Sequence, residues 1–446
     1  MRPPLPARSP LRTGDLLYAV ALFLFAIVGL FARHNGFDRF ATPAGTIEGV
    51  GRLSGLLGTG IALVGLFLMS RLPVIEQGIG PDRLSGIHRT FGFIAVYAVL
   101  LHAFASTLDW AHSLDAMPAK LVEIWTDDPG GNIAIIAAGL FLLIGFTSVS
   151  LIRRLIGYEL WHTLHLSAYA ALILSIPHQF TFGSALSLDP AGRAFWIGSF
   201  VFAAAPTLFY RFLTPLYRSV RYNFRVIAVV PESDDVVSIY LGGRHLDRLP
   251  HRSGQYFSLR FLTLDGWFRS HPFSLSQGPD GQTLRFTVKA QGGWTRRLRR
   301  MRPDTRVIVE GPYGVLHGGR RSRDRVLLIG GGIGITPMRA LFETLPAEEG
   351  GIDLIYRASE RKELLFRDEL DAIARSRGGR VHYLVGRREE LGADPLSGDE
   401  LRRRIPDIVK RDIYLCGPER MMRSLHKTLR KIGVPASRIH LESFAW

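Results

Sequence analysis

The 446-residue sequence contains one cysteine, Cys416. That excludes an intrachain disulfide and any metal site built on several thiolates. Charged residues are scarce at 21%, and unevenly so: residues 14–212 carry several long apolar runs, whereas 221–446 read as a soluble, arginine-rich protein. Acidic side chains number 39 against 55 Lys and Arg, giving a net charge of +16. No nucleic-acid recognition motif accompanies that charge, so no nucleic-acid partner is expected. A domain lying against an anionic membrane face accounts for the charge better.

The apolar half divides into six segments of about 20 residues, the length a bilayer core requires. They cover 15–33, 50–70, 86–108, 133–152, 158–180 and 192–212. The first is too long for a signal-peptide core and lacks a clear small-residue cleavage site. Arg2, Arg8 and Arg12 precede it, Arg71 and Arg83 join the second and third, Arg153 and Arg154 the fourth and fifth, and Arg211, Arg218 and Arg221 follow the sixth. In a six-helix arrangement all of these lie on one side. The 109–132 connection, with Asp109, Asp115, Glu123, Asp127 and Asp128 against Lys120, lies on the other. The positive-inside rule then puts both termini in the cytoplasm.

Ionisable residues inside such segments are costly and usually functional. His88 and His102 bracket the third segment, His165 and His178 the fifth. A separation of 14 returns to within 40° of the same helix face and rises about 21 Å, which suits two stacked macrocycles. The separation of 13 is about 140° out of phase, and Pro177 supplies a kink beside His178. Imidazole is a standard haem-iron ligand, so four paired histidines point to axial ligation of two haems rather than to helix packing. His162 is a rival for His165. Arg52, near the outer end of the second segment, suits a haem propionate or an anionic acceptor, or equally snorkels to the headgroups.

Beyond 221, short alternating runs separated by Gly and Pro (Arg225–Val230, Val236–Leu241, Tyr256–Phe261, Leu284–Val288, Arg306–Glu310) predict a small antiparallel barrel. His271-Pro272-Phe273-Ser274 offers an apolar face and a hydroxyl for a flavin ring. Gly292-Gly293-Trp294-Thr295 opens a predicted helix over 296–302, leaving backbone N–H groups free for a diphosphate.

Arg325–Ile329 is an apolar strand. It is followed by Gly330-Gly331-Gly332-Ile333-Gly334-Ile335-Thr336-Pro337 and a helix from Met338, a pyrophosphate cradle without the G-x-G-x-x-G spacing. A second strand, Ile352–Arg357, leads to Ser359 and Arg361. Arg357, Ser359 and Arg361 suit a 2′-phosphate, favouring NADPH, with NADH the alternative. Asp412–Leu415 ends in Cys416-Gly417-Pro418, and the chain closes with Phe444-Ala445-Trp446.

With these motifs in this order, residues 221–446 resemble the ferredoxin–NADP reductase superfamily. Residues 50–446 as a whole are similar to the NADPH oxidase and ferric reductase family, particularly its short bacterial members. The resemblance implies three domains: a transmembrane domain (1–218), an FAD-binding β-barrel (219–320) and an NAD(P)H-binding α/β domain (321–446). It implies two b-type haems, His88 paired with His165 on the inner side and His102 with His178 on the outer. His271, Pro272, Phe273 and Ser274 would line the flavin. Gly292, Gly293, Trp294 and Thr295 would hold its diphosphate. Gly332, Gly334, Thr336 and Pro337 would form the nicotinamide-nucleotide loop, and Cys416, Gly417 and Pro418 would lie beside the nicotinamide. Trp446, with Phe444 the alternative, would cover the flavin, although the family usually ends in Phe or Tyr. Electrons would pass from cytoplasmic NAD(P)H through FAD and the haems to a small-molecule acceptor outside, oxygen or a ferric chelate. The alternative of another class is a membrane-anchored diaphorase without haem, in which the histidines are incidental.

Overall fold

A computed structural model of the chain describes residues 11–182, 186, 189–267, 269–387, 390 and 394–442. Two compact units emerge: Leu11–Phe212, which is helical, and Leu213–Trp446.

The helical unit begins with α1 (Thr13–Arg33), α2 (Pro43–Leu68), α3 (Pro73–Ile79), α4 (Pro81–Ala111), α5 (Met117–Asp127) and α6 (Pro129–Ser148). Proline at the first turn starts α2, α3, α4 and α6, where its missing N–H is not needed. Asp128 caps α6 by accepting from the N–H groups of Gly130 and Gly131. Large apolar side chains face outward here, among them Phe25 (73% exposed) and Phe202 (66%). An outward apolar surface marks a helix bundle that meets lipid.

Among the described residues, five helices are long and apolar enough to cross a membrane: α1, α2, α4, the Gly130–Ser148 stretch of α6, and Pro190–Tyr222. The sixth expected helix, 158–180, forms three short consecutive pieces instead, Tyr158–His165, Ser167–Leu174 and Ile176–Thr181. Its breaks have local causes. Ser167 and Ser175 turn their hydroxyls back onto the carbonyls of Leu164 and Leu172, which bends a helix, and Pro177 has no N–H to donate. Pro206 marks another irregularity, since Pro190–Pro206 gives way to a π-helical stretch, Thr207–Leu213.

In the second unit, β1 (Arg225–Pro231), β2 (Val236–Gly242), β3 (Tyr256–Phe261), β4 (His271–Ser274), β5 (Leu284–Lys289) and β6 (Val307–Tyr313) form two three-stranded antiparallel sheets, ordered β1-β2-β5 and β4-β3-β6. They enclose one core of Phe224, Ile239, Phe257, Phe261, Phe286 and their neighbours. This corrects the expected barrel: the sheets do not close. Among the described residues they meet only through isolated bridges, Arg225 to Arg306 and Leu275 to Phe286. The edge strand β4 has four residues and contains Pro272, so it cannot extend a ladder. The helix expected over 296–302 lies earlier, at Gly293–Arg297, followed by a 3-10 turn.

The remaining strands, β7 (Val326–Gly331), β8 (Ile352–Ala358), β9 (Arg380–Val385), β10 (Asp412–Cys416) and β11 (Ile439–Leu441), make a parallel sheet ordered β11-β10-β7-β8-β9. Separate apolar clusters cover its two faces, as expected for a buried parallel sheet. The order reverses between β7 and β10, and such a switch point opens a crevice at the carboxyl ends of the two strands.

Candidate functional site

The helical unit brings the four expected histidines into two facing pairs. His88 and His165 have ring centroids 5.9 Å apart, and His102 and His178 6.1 Å apart. Two metal–imidazole bonds of about 2 Å each, with the ring radius added at either end, span roughly that distance. The broken course of 158–181 corrects the 140° phase error of an ideal helix. His162 stacks on Tyr158 instead of facing His88.

Each α4 histidine is held from behind by α2. His102 Nδ1 lies 2.8 Å from the Gly51 carbonyl, and His88 Nδ1 3.1 Å from that of Gly65. A carbonyl only accepts, so Nδ1 carries the proton and Nε2 keeps its lone pair, the form that ligates a metal. His165 stacks on Trp161 at 5.2 Å, and Trp161 in turn lies under Arg153. Among the described residues no three His, Cys, Asp or Glu side chains converge on one point. Paired imidazoles without further ligands suit iron in a planar macrocycle rather than a bare tetrahedral ion. A cavity of about 400 Å³ opens beside the His102–His178 pair, lined also by Gly55, Thr59, Val99 and Phe141.

At its rim, Glu48 is engaged by Arg39 at 2.5 Å and by Arg52 at 2.7 Å. Sequence reading singled out Arg52 but missed both partners. The i, i+4 spacing of Glu48 and Arg52 was the available signal; Arg39 precedes α2 and has none. Gln179, which accepts from the indole N–H of Trp196 at 2.6 Å, was also missed.

In the second unit, β4 presents the His271–Ser274 stretch, registered so that Phe273 opposes Phe257 and Ser274 opposes Tyr256. His271 stacks on Trp294 at 6.2 Å, and Arg269 lies over the same indole. Trp294 itself belongs to the core. A Cβ at Gly292 or Gly293 would meet open space, so these two backbones present an accessible face beside the exposed Arg296. The Thr295 hydroxyl accepts from the N–H groups of Gln291 and Gly292 and fixes that loop.

The glycine loop after β7 divides its labour. Gly332 has φ +53° and an open flank, a conformation that favours glycine. At Gly334 a Cβ would lie 2.3 Å from the Cys416 carbonyl, so only glycine lets the loop close onto β10. Thr336 is buried, with its hydroxyl on the Ile333 carbonyl, and Pro337 is buried in the first helical turn. Gly417 and Pro418 follow Cys416 on the other side of the switch point. Cys416 is fully buried, and burial first, then Glu442, pushes its thiol well above the ordinary range. It is therefore a neutral thiol, not a nucleophile. At the end of β8, Arg357 donates to the carbonyls of Leu384 and Gly386, whereas Ser359 and Arg361 are exposed. Phe444 and Trp446 lie outside the described residues.

Three family models match in sequence. Residues 54–176 match the ferric reductase like transmembrane component, 221–317 an FAD-binding domain, and 328–427 an oxidoreductase NAD-binding domain. This is the architecture of the NADPH oxidases and ferric reductases. Its C-terminal half is ferredoxin–NADP reductase-like. The chain is 23% identical to human dual oxidase 2 over 402 residues, 78% of this chain and 24% of that protein. It is 31% identical to a flavohemoprotein of Bordetella pertussis over 254 residues, 50% of this chain and 60% of that one. Among solved structures, the flavohem-like FAD/NAD binding domain of nitric oxide dioxygenase from Vibrio cholerae O1 biovar El Tor is 25% identical. Its TM-score is 0.40, and the match covers 50% of this chain and 98% of that one. The chain spans less than two thirds of the length of the first curated relatives it matches.

Proposed function

We propose that the chain is a transmembrane flavohaem oxidoreductase, an NAD(P)H oxidase or ferric reductase of three modules, 1–218, 219–320 and 321–446. Bound NADPH, FAD and two b-type haems would supply hydride transfer on the cytoplasmic side and single-electron transfer to an acceptor across the membrane. The observation that carries this reading is the two facing imidazole pairs inside an apolar bundle, in one chain with a nucleotide crevice.

His88 with His165, and His102 with His178, hold the two irons, and the segment 158–180 completes six crossings with the soluble unit in the cytoplasm of a bacterial plasma membrane. The one-sided distribution of loop arginines supports that orientation. His271, Pro272, Phe273 and Ser274 line the flavin, and the open backbones of Gly292 and Gly293 receive its diphosphate. Gly332 offers its backbone to the nucleotide pyrophosphate. Ser359 and Arg361 face a 2′-phosphate, which favours NADPH over NADH; Arg357 supports the strand end through its carbonyl bonds. Gly334, Thr336 and Pro337 shape the loop, and Cys416, Gly417 and Pro418 border the nicotinamide, with Trp446 or Phe444 against the flavin. Oxygen, reduced to superoxide, is the favoured acceptor, supported by the likeness to a dual oxidase over 78% of the chain. A ferric chelate is the second reading.

The test is the optical spectrum of the purified protein before and after anaerobic NADPH. Sharp reduced b-type bands are expected. Flavin bleaching without haem absorbance would leave a membrane-anchored diaphorase. Oxygen and ferric chelate are then compared as acceptors.

A further inference from the structure

Helix α2 contributes no histidine, yet it touches both α4 histidines in the same way. The two carbonyls that receive the imidazole protons belong to glycines 14 residues apart, Gly51 and Gly65, and the histidines are also 14 apart. In two antiparallel helices this is one register repeated: residue pairs 51 with 102 and 65 with 88 have the same sum. A helical carbonyl has a second lone pair beyond the one its own helix uses, so the imidazole N–H can be satisfied without breaking α2. The approach this requires is close. At Gly55 a Cβ would lie 2.7 Å from His102 Nδ1 and 2.9 Å from its Cγ, inside van der Waals contact with the ring. At Gly58 it would meet the backbone N of Val99 at 3.0 Å, with no imidazole involved, and at Gly65 it would meet His88 Nδ1 at 3.4 Å, an ordinary contact. Behind His165 and His178 the situation differs, because among the described residues their buried Nδ1 atoms meet no hydrogen-bond partner.

We propose that α2 is the positioning helix for both haems: the Gly51 and Gly65 carbonyls orient the α4 imidazoles and fix their tautomer, and Gly55 is glycine because a side chain there displaces the His102 ring. Each iron then has one ligand anchored to a carbonyl and one that is not. The inference rests on the haem reading above and adds to it which residues outside the ligand set govern each haem. Loss of such an outer hydrogen bond costs about 10- to 100-fold in metal affinity.

The experiment compares full-length wild type, Gly55→Ala and Gly58→Ala by haem-to-protein ratio, low-temperature EPR of the oxidised haems and redox titration of the b-type bands. NADPH bleaching of the flavin serves as the check that each variant is folded. Gly55→Ala is expected to alter one haem only, either lowering the haem content from two toward one or moving one EPR component and one midpoint potential. Gly58→Ala retains both signals. The proposal is overturned if Gly55→Ala keeps both haems with unchanged EPR and potentials, or if Gly58→Ala reproduces its effect, since helix separation alone would then be the cause. A wild type without haem would instead sink the functional reading itself.

Discussion

His317 follows β6 and is buried, with Nδ1 accepting from the Gly319 N–H at 2.9 Å. Its remaining proton is therefore on Nε2 and the ring is neutral. Burial chiefly, then the charges of Arg252, Arg320 and His440, push its pKa down to about 4. A depressed histidine favours the neutral form, so the unfolded chain binds the extra proton first. Stability from this group is complete above about pH 6.5 and is lost as the pH falls toward 4, by roughly 3 kcal/mol over that interval. His317→Asn keeps an acceptor in the place of Nδ1 without a titrating ring. The variant should match the wild type at pH 7.5 and lose less between pH 6.5 and 4, measured as the midpoint of thermal FAD release. Parallel pH profiles for the two proteins would refute the assignment. The same scale explains why the motifs were legible in sequence while their individual roles were not. Residue type and order picked out the loops proposed for flavin and nucleotide. Which side of the backbone faces the cradle depends on tertiary packing, and that packing puts Trp294 in the core and Thr336 beneath the loop, and ties Arg357 to β9.

Among the elements, periodicity found the long apolar helices and the strands β1, β2, β3, β5, β6, β7, β8 and β10. It missed β4, which is four residues long and contains a proline, β9, whose side chains are mostly half-buried, and β11, which has three residues. It also overlooked what joins the antiparallel sheets to the parallel one, because no spacing in sequence announces a partner 84 residues away. Arg285 in β5, 4% exposed, donates to Glu369 at 2.9 Å and to Glu232 at 2.7 Å and stacks on Phe366. Arg339 donates to Glu369 and Glu343, and Glu343 accepts from the N–H of Gly278. Burial pushes the Glu369 carboxyl up, but the hydrogen bond and charge of Arg285, with Arg339, hold it below the usual range. Arg285 and Arg339 are buried but Glu369 and Glu343 are more than a third exposed, so removing one partner costs about 1–2 kcal/mol, less than in a fully buried network because solvent screens the charge left behind. Arg285→Met should lower the midpoint of FAD release accordingly. Glu369→Gln should then cost at least about 1 kcal/mol less in that background than in the wild type. Strict additivity of the two substitutions would show that the network does not couple the sheets.

For the whole molecule, the decisive property is that two compact units carry the two halves of the proposed chemistry. The unit 11–212 has its own apolar clusters and all four candidate iron ligands. The unit 213–446 has separate cores and the loops proposed for flavin and nucleotide. Composition already divided the chain close to this boundary, because bilayer-facing and water-facing surfaces demand different residues. A lesion at a ligand in the first unit should therefore leave hydride transfer in the second intact. His178→Leu keeps the apolar character of its segment and removes one outer ligand. Anaerobic NADPH should still bleach the flavin, and NADPH-driven reduction of a soluble dye should stay within about twofold of wild type, since substitutions in independent units act separately. The reduced b-type absorbance should fall to about half, and reduction of the outside acceptor should fall at least about tenfold, because the route then lacks its last carrier. Both rates are measured on the same preparation, the dye from the nucleotide side and oxygen or ferric chelate from the other. Equal loss of both would mean that the outer histidine pair supports the fold of the whole chain. Loss of neither would mean that electrons leave directly from the flavin, and that the histidines of 158–180 lie off the path.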